Sequence, residues 1–293
     1  TDTSTVTVVD TIDTTSVSLT AAPDLTEDGG NLTYTATLGS PVLAGDDPVV
    51  VSFTDLNGAA RSITITGGNA TGTYVATIPE ALYEDVYSEA AADITIATNV
   101  SVAGGNFEAL GTPSVGTIAL TDSIDNTNAT LTSVGSGDED SGSITYTVTL
   151  NNAPQADQLF SITLSNGQSA TITVASGALT GAITFGWGAG AIAGTQALTG
   201  YPNSDAYSEA PVDLSVSTFT ASGAGGNFEQ LTPINSSTPV TIADTITPTT
   251  ITLSDVNGAE GTSHTITATV DHVVTGNDLV ITLSNGKEIT IAV

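Results

Sequence analysis

The residues best suited to chemistry in this chain are carboxylates, and they return in a fixed phrase. Asp-Thr-Ile-Asp-Thr-Thr at 10–15 reappears as Asp-Ser-Ile-Asp-Asn-Thr at 122–127 and as Asp-Thr-Ile-Thr-Pro-Thr at 244–249, at intervals of about one ordinary domain. The chain has 293 residues, with 31 Asp and Glu against two cations, Arg61 and Lys287, for a net charge of −29. Clustered carboxylates so poorly supplied with basic partners have two outlets. They stay apart in water as a solvated acidic surface, or they gather around a hard divalent cation such as Ca²⁺, which takes six to eight oxygen ligands.

The same charge balance excludes several functions. No basic patch exists to displace counterions from nucleic acid or to recruit an anionic membrane surface. There is no cysteine, hence no disulfide framework and no thiolate metal site. No apolar run reaches the length of a membrane span. Methionine is absent too, so the chain reads as an internal piece of a longer, exported protein. Histidine occurs only as His264 and His272, so a Ser-His-Asp arrangement is unavailable in the first two repeats. Paired carboxylates for glycoside hydrolysis need a cleft that a small sandwich does not offer. The expectation is a protein that is not an enzyme.

The carboxylates must be positioned by repeated elements. Leu-Thr-Tyr-Thr-Ala-Thr-Leu at 32–38 returns as Ile-Thr-Tyr-Thr-Val-Thr-Leu at 144–150 and as His-Thr-Ile-Thr-Ala-Thr-Val at 264–270; Asp-Val-Tyr-Ser-Glu-Ala at 85–90 returns as Asp-Ala-Tyr-Ser-Glu-Ala at 205–210; Gly-Gly-Asn-Phe-Glu occurs at 104–108 and 225–229. The repeats divide the chain into 1–9, the last strand of a preceding repeat; 10–121 and 122–243, two full repeats; and 244–293, an incomplete third. A period this long means tandem domains rather than a solenoid.

Within a repeat the pattern has period two. Leu32, Tyr34, Ala36 and Leu38 alternate with threonines, as in a half-buried strand. Similar runs near 15–20, 49–54, 61–66, 72–78, 93–98 and 115–120 give about seven strands. The expected fold is all-β: tandem immunoglobulin-like β-sandwich domains in an extended array. Asn57-Gly58, Asn166-Gly167 and Asn285-Gly286 suit tight type I′ hairpins. If each strand reverses direction, Glu27, Asp28, Asp85 and Glu89 fall at one pole beside Asp122 and Asp125. The loop of the following repeat that carries Asn227 and Glu229 faces the same place. The Gly-rich stretch at 135–142 lacks a P-loop lysine and reads instead as the matching acidic loop, with Asp138, Glu139 and Asp140 as further candidate ligands. His264, at the inward position of Leu32, reads as a histidine at the edge of the core. Trp187 lies in a glycine-rich insertion expected to fold back onto the sandwich; exposed, it would instead suit stacking on a sugar.

These ordered motifs resemble the extender repeats of giant bacterial biofilm adhesins of the large-adhesion-protein type, which are secreted by type I export and end in RTX calcium repeats. The resemblance covers the whole chain. It implies Ca²⁺ at the junctions between Ig-like domains and a spacer that holds adhesive modules away from the cell, so the expected location is extracellular, at the bacterial surface. By position it implies ligands at the linker acids Asp10, Asp13, Asp122, Asp125 and Asp244. It adds the loop residues Asp85, Glu89, Asp205, Glu209, Asn106, Glu108, Asn227 and Glu229. The third linker departs from the pattern, with Thr247-Pro248 in place of an acid. Expected partners are neighbouring repeats of the same chain, with no nucleic acid and no membrane insertion, in a monomeric rod. Two alternatives stay open: a glycan- or protein-binding Ig-like module, and a self-assembling fibre or surface-layer subunit in which the incomplete repeat joins a neighbour by strand donation.

Overall fold

The computed structural model describes residues 3–293 except 192, 200–203 and 224. The chain forms two compact units. The first holds residues 1–127 together with 226–232, and the second holds 128–225 together with 233–293.

In the first unit, Gly29–Leu38 is the central strand of one sheet. It pairs antiparallel with Val17–Ala22 on one side and with Thr71–Pro79 on the other. A second sheet has the order Ala60–Ile65, Val49–Thr54, Thr98–Gly104. The period-two expectation holds residue by residue: Leu32, Tyr34, Ala36 and Leu38 are buried while the intervening threonines are not. They meet Val49, Val51, Phe53, Ile63 and Ile65 from the other sheet in one apolar core. The Tyr34 and Phe53 rings lie 4.9 Å apart. The Tyr34 hydroxyl donates to Ile96 O and accepts from Leu56 N, so this large buried side chain leaves no polar atom stranded.

The run expected at 93–98 is two strands. Ala92–Thr95 pairs with Thr117–Thr121 in the first sheet, whereas Thr98–Gly104 pairs with Val49–Thr54 in the second. Consecutive apolar residues Ile96 and Ala97, both buried, break the alternation and carry the chain from one sheet to the other. The hairpins also differ from the type I′ expectation. Only the glycine of each Asn-Gly pair has positive φ, at Gly58, Gly167 and Gly286. Each glycine N–H donates back three residues, to Asp55, Leu164 and Leu283, a type I turn with Gly last.

The second unit repeats the plan. Ser141–Leu150 lies between Asn126–Gly137 and Thr180–Gly188, and Gln158–Leu164 lies between Ser169–Val174 and Val216–Ser222. Its core contains Ile144, Tyr146, Val148, Phe160, Ile162 and Phe185. Trp187 is buried, at 5 % exposure, and its Nε1–H donates to Asp138 O at 2.7 Å. Gly137 and Gly142 make room for it, because a Cβ at Gly142 would stand 2.2 Å from the indole. The sugar-stacking reading of Trp187 therefore loses its exposed face.

The third repeat holds only short hairpins, Ile251–Leu253 with Ala268–Val270 and Leu279–Thr282 with Glu288–Ile291. His264 is exposed, with Nε2 2.9 Å from the Thr262 hydroxyl, which corrects its expected place at the edge of a core. The strand that would seat it is formed only over 268–270. No helix among the described residues is long and apolar enough to cross a membrane.

Candidate metal centre

Glu27 sits in the turn between Leu25–Thr26 and Gly29–Leu38. Gly29 follows it with φ of +77°, at a point where a Cβ would strike Ile78 O. This turn folds back onto the segment leaving the last strand of the sheet: Glu27 N–H donates to Thr121 O at 3.1 Å. The carboxyl group is thereby drawn inward, and Glu27 is only 6 % exposed.

The segment 83–89 reaches the same place. Asp85 Oδ1 accepts from Tyr87 N at 2.7 Å and shapes a turn, and Glu89 N–H donates to Asp122 Oδ2 at 3.3 Å. Segment 226–232, part of the same unit, is held by backbone bonds. Ser88 N–H donates to Asn227 O, the Asn227 amide donates to Ser88 O, and Glu229 N–H donates to Val86 O. Tyr87 stacks on Phe228 with ring centroids 5.9 Å apart. Asn227 takes a left-handed φ of 56°, which asparagine accepts more readily than most residues. Glu229 Oε2 then accepts from Asp125 N–H.

The outcome is a group of four carboxylates. Glu27, Glu89, Asp122 and Glu229 each present an oxygen, all within 4.8 Å of one another. Glu27 Oε2, Asp122 Oδ1 and Glu229 Oε1 are shut off from solvent and make no hydrogen bond. Arg61 is committed to Asp55 at 2.8 Å, and no salt bridge reaches the group among the described residues. Burial, then the charges of Asp122, Glu89, Asp85 and Glu229, push the Glu27 pKa up. Burial likewise raises Glu89 and Glu229. Beside them Glu84, hydrogen-bonded to Asp125 and partly desolvated, is pushed up to about 7. Several buried acceptors with nothing to accept from fit a hard cation with oxygen ligands.

The second unit holds a smaller counterpart. Glu139, Glu209 and Asp244 present oxygens within 4.8 Å of one another. The backbone design is the same: Glu139 N–H donates to Ala243 O, and Glu209 N–H donates to Asp244 Oδ2. Asp205 Oδ1 accepts from Tyr207 N, as Asp85 does from Tyr87. Here, however, Glu139 Oε1 accepts from Thr245 N–H and lies 2.8 Å from the Thr245 hydroxyl, whose single proton is shared between it and Asp140 Oδ2.

The other residues expected as ligands lie as follows. Asp28 is exposed and contributes to the raised Glu84 pKa. Asp138 Oδ1 caps its own turn by accepting from Asp140 N and Ser141 N. Asp140 accepts from the Ser204 and Thr245 hydroxyls, which hold its pKa down. Asp10, Asp13, Asn106 and Glu108 are exposed; Asp13 N–H donates to Glu108 Oε2, repeating the Asp125–Glu229 contact. Glu84 escaped the sequence reading. Its only signal was adjacency to Asp85, and its counterpart in the second repeat is Ser204.

A LapA domain is found twice, over residues 13–123 and 125–245. No curated protein matches the chain. Together the two matched stretches include every residue of both carboxylate groups, with Glu229 in the second stretch. With most of its length so matched, the chain belongs to the LapA domain family, which suggests a cell-surface adhesin involved in biofilm.

Proposed function

We propose that this chain is a non-enzymatic extender segment of a secreted bacterial adhesin, stiffened by Ca²⁺ and serving to project adhesive modules from the cell surface. The observation that carries the reading is the group Glu27, Glu89, Asp122 and Glu229, with buried oxygens that no protein group satisfies. The four ligands come from segments far apart in sequence that backbone hydrogen bonds bring together, so a cation bound there removes the repulsion between their carboxylates and locks the segments to one another. Asp85 and Asp125 are near enough to add charge. Extracellular modules of this kind bind Ca²⁺ at about 10⁻⁴–10⁻³ M, which matches calcium outside cells and leaves the chain pliable inside. Neighbouring repeats of one long chain are the natural partners, and the segment itself is a monomer.

The test is metal analysis of the purified chain, followed by small-angle scattering and solution mass in millimolar calcium and in excess chelator. The expected result is bound calcium, monomer mass, and a longer, less flexible particle with metal. Equal dimensions and flexibility in both conditions would overturn the stiffening mechanism.

A further inference from the structure

The two carboxylate groups occupy matching positions in successive repeats, but their surroundings differ in a consistent direction. The first is ringed by acids: Asp85, Asp125 and Glu84 add to Glu27, Glu89, Asp122 and Glu229. In the second, Ser204 replaces Glu84, Thr247 replaces Asp125, and Thr245 replaces Ser123. Asp138, where the first repeat has Thr26, is turned to its own backbone.

The hydroxyls do more than dilute charge. The Thr245 oxygen lies 2.8 Å from Glu139 Oε1 and 2.9 Å from Asp140 Oδ2, and the Ser204 hydroxyl donates to Asp140 Oδ1 at 2.6 Å. These acceptors are satisfied by the protein. Among the positions both repeats share, Glu27 Oε2 and Asp122 Oδ1 are buried without a donor in the first group, against Asp244 Oδ1 alone in the second. A bound cation thus relieves more repulsion and more unmet hydrogen-bonding capacity at the first group, and displaces fewer existing bonds.

Building on the calcium reading above, we propose that the two sites are graded: the first repeat takes Ca²⁺ at lower concentration than the second, so that the segment acquires its metal in steps. Ligand charge sets calcium affinity over orders of magnitude, and the difference here is expected to be about tenfold or more.

Calcium titration of the whole chain by calorimetry tests this. The expected result is two classes of site, the tighter lost in E27Q and the weaker lost in E139Q. E229Q should bring the tighter class down toward the weaker. The double substitution S204E/T247D, at two exposed positions, should tighten the weaker class severalfold. Far-ultraviolet circular dichroism confirms that each variant is folded. One class with a single affinity, or loss of the tighter class in E139Q, would overturn the grading while leaving calcium binding intact. Absence of calcium binding would overturn the extender reading itself.

Discussion

Replacing Glu27 by Gln should change stability in opposite directions with and without calcium. Four charges make six repulsive pairs, and Glu27 takes part in three of them. At 4.8 Å each pair costs about 0.9 kcal/mol in a water-like dielectric and more in a drier one. E27Q therefore relieves about 2–3 kcal/mol in the metal-free state. The new amide can also donate to Asp122 Oδ1 or Glu229 Oε1, neither of which has a donor. The bond from Glu27 N to Thr121 O is untouched, being backbone. For a unit of this size, about 3–5 °C accompanies each kcal/mol, so the metal-free transition should rise by about 6–15 °C. With calcium the order reverses, because the variant has lost a buried ligand and the stabilisation by bound metal falls with affinity. Scanning calorimetry in chelator and in millimolar calcium, at pH 8, reads both signs. If E27Q is less stable than wild type in chelator as well, Glu27 is a structural hydrogen-bonding residue and the frustrated-carboxylate reasoning fails.

The metal-free protein should lose stability as pH rises from about 4.5 to about 7. The Glu84 pKa is raised from 4.5 to about 7, first by its hydrogen bond to Asp125 and then by desolvation. The folded state therefore binds that proton more tightly than the unfolded chain, and its contribution is full below the unfolded value and gone above the folded one. Melting temperatures across this range in chelator should fall, and calcium should flatten the fall; a rise with pH in chelator would refute it. Trp187 should emit at short wavelength and resist quenching by iodide, since it is buried under Gly137 and Gly142. G142A should cost about 1–3 kcal/mol by overpacking against the indole, read as a lowered denaturation midpoint with an unchanged slope.

Much of the fold was legible because it depends on local pattern. Leu32, Tyr34, Ala36 and Leu38 declare one buried face by simple alternation, and the second repeat echoes them at Ile144, Tyr146, Val148 and Leu150. The acidic phrases, their recurrence, and the near absence of cations also needed no structure to be seen. Where alternation failed, at Ile96-Ala97, the crossing between sheets was hidden, because two adjacent apolar residues say only that both faces are covered.

The sequence by itself determined an acidic, repeated, all-β chain whose carboxylates had to be either solvated or neutralised from outside. Only the tertiary structure decided which carboxylates meet. Glu27 and Asp28 are neighbours of identical charge, yet the bond from Glu27 N to Thr121 O turns one inward and leaves the other in water. Glu84 lies beside the group, against Asp125, while Asp10 stays exposed. Glu229 arrives from a segment more than a hundred residues away, held by Ser88 and Val86 backbone. Convergence of this kind is a property of which backbone segments pack together, and a one-dimensional spacing rule carries no term for it.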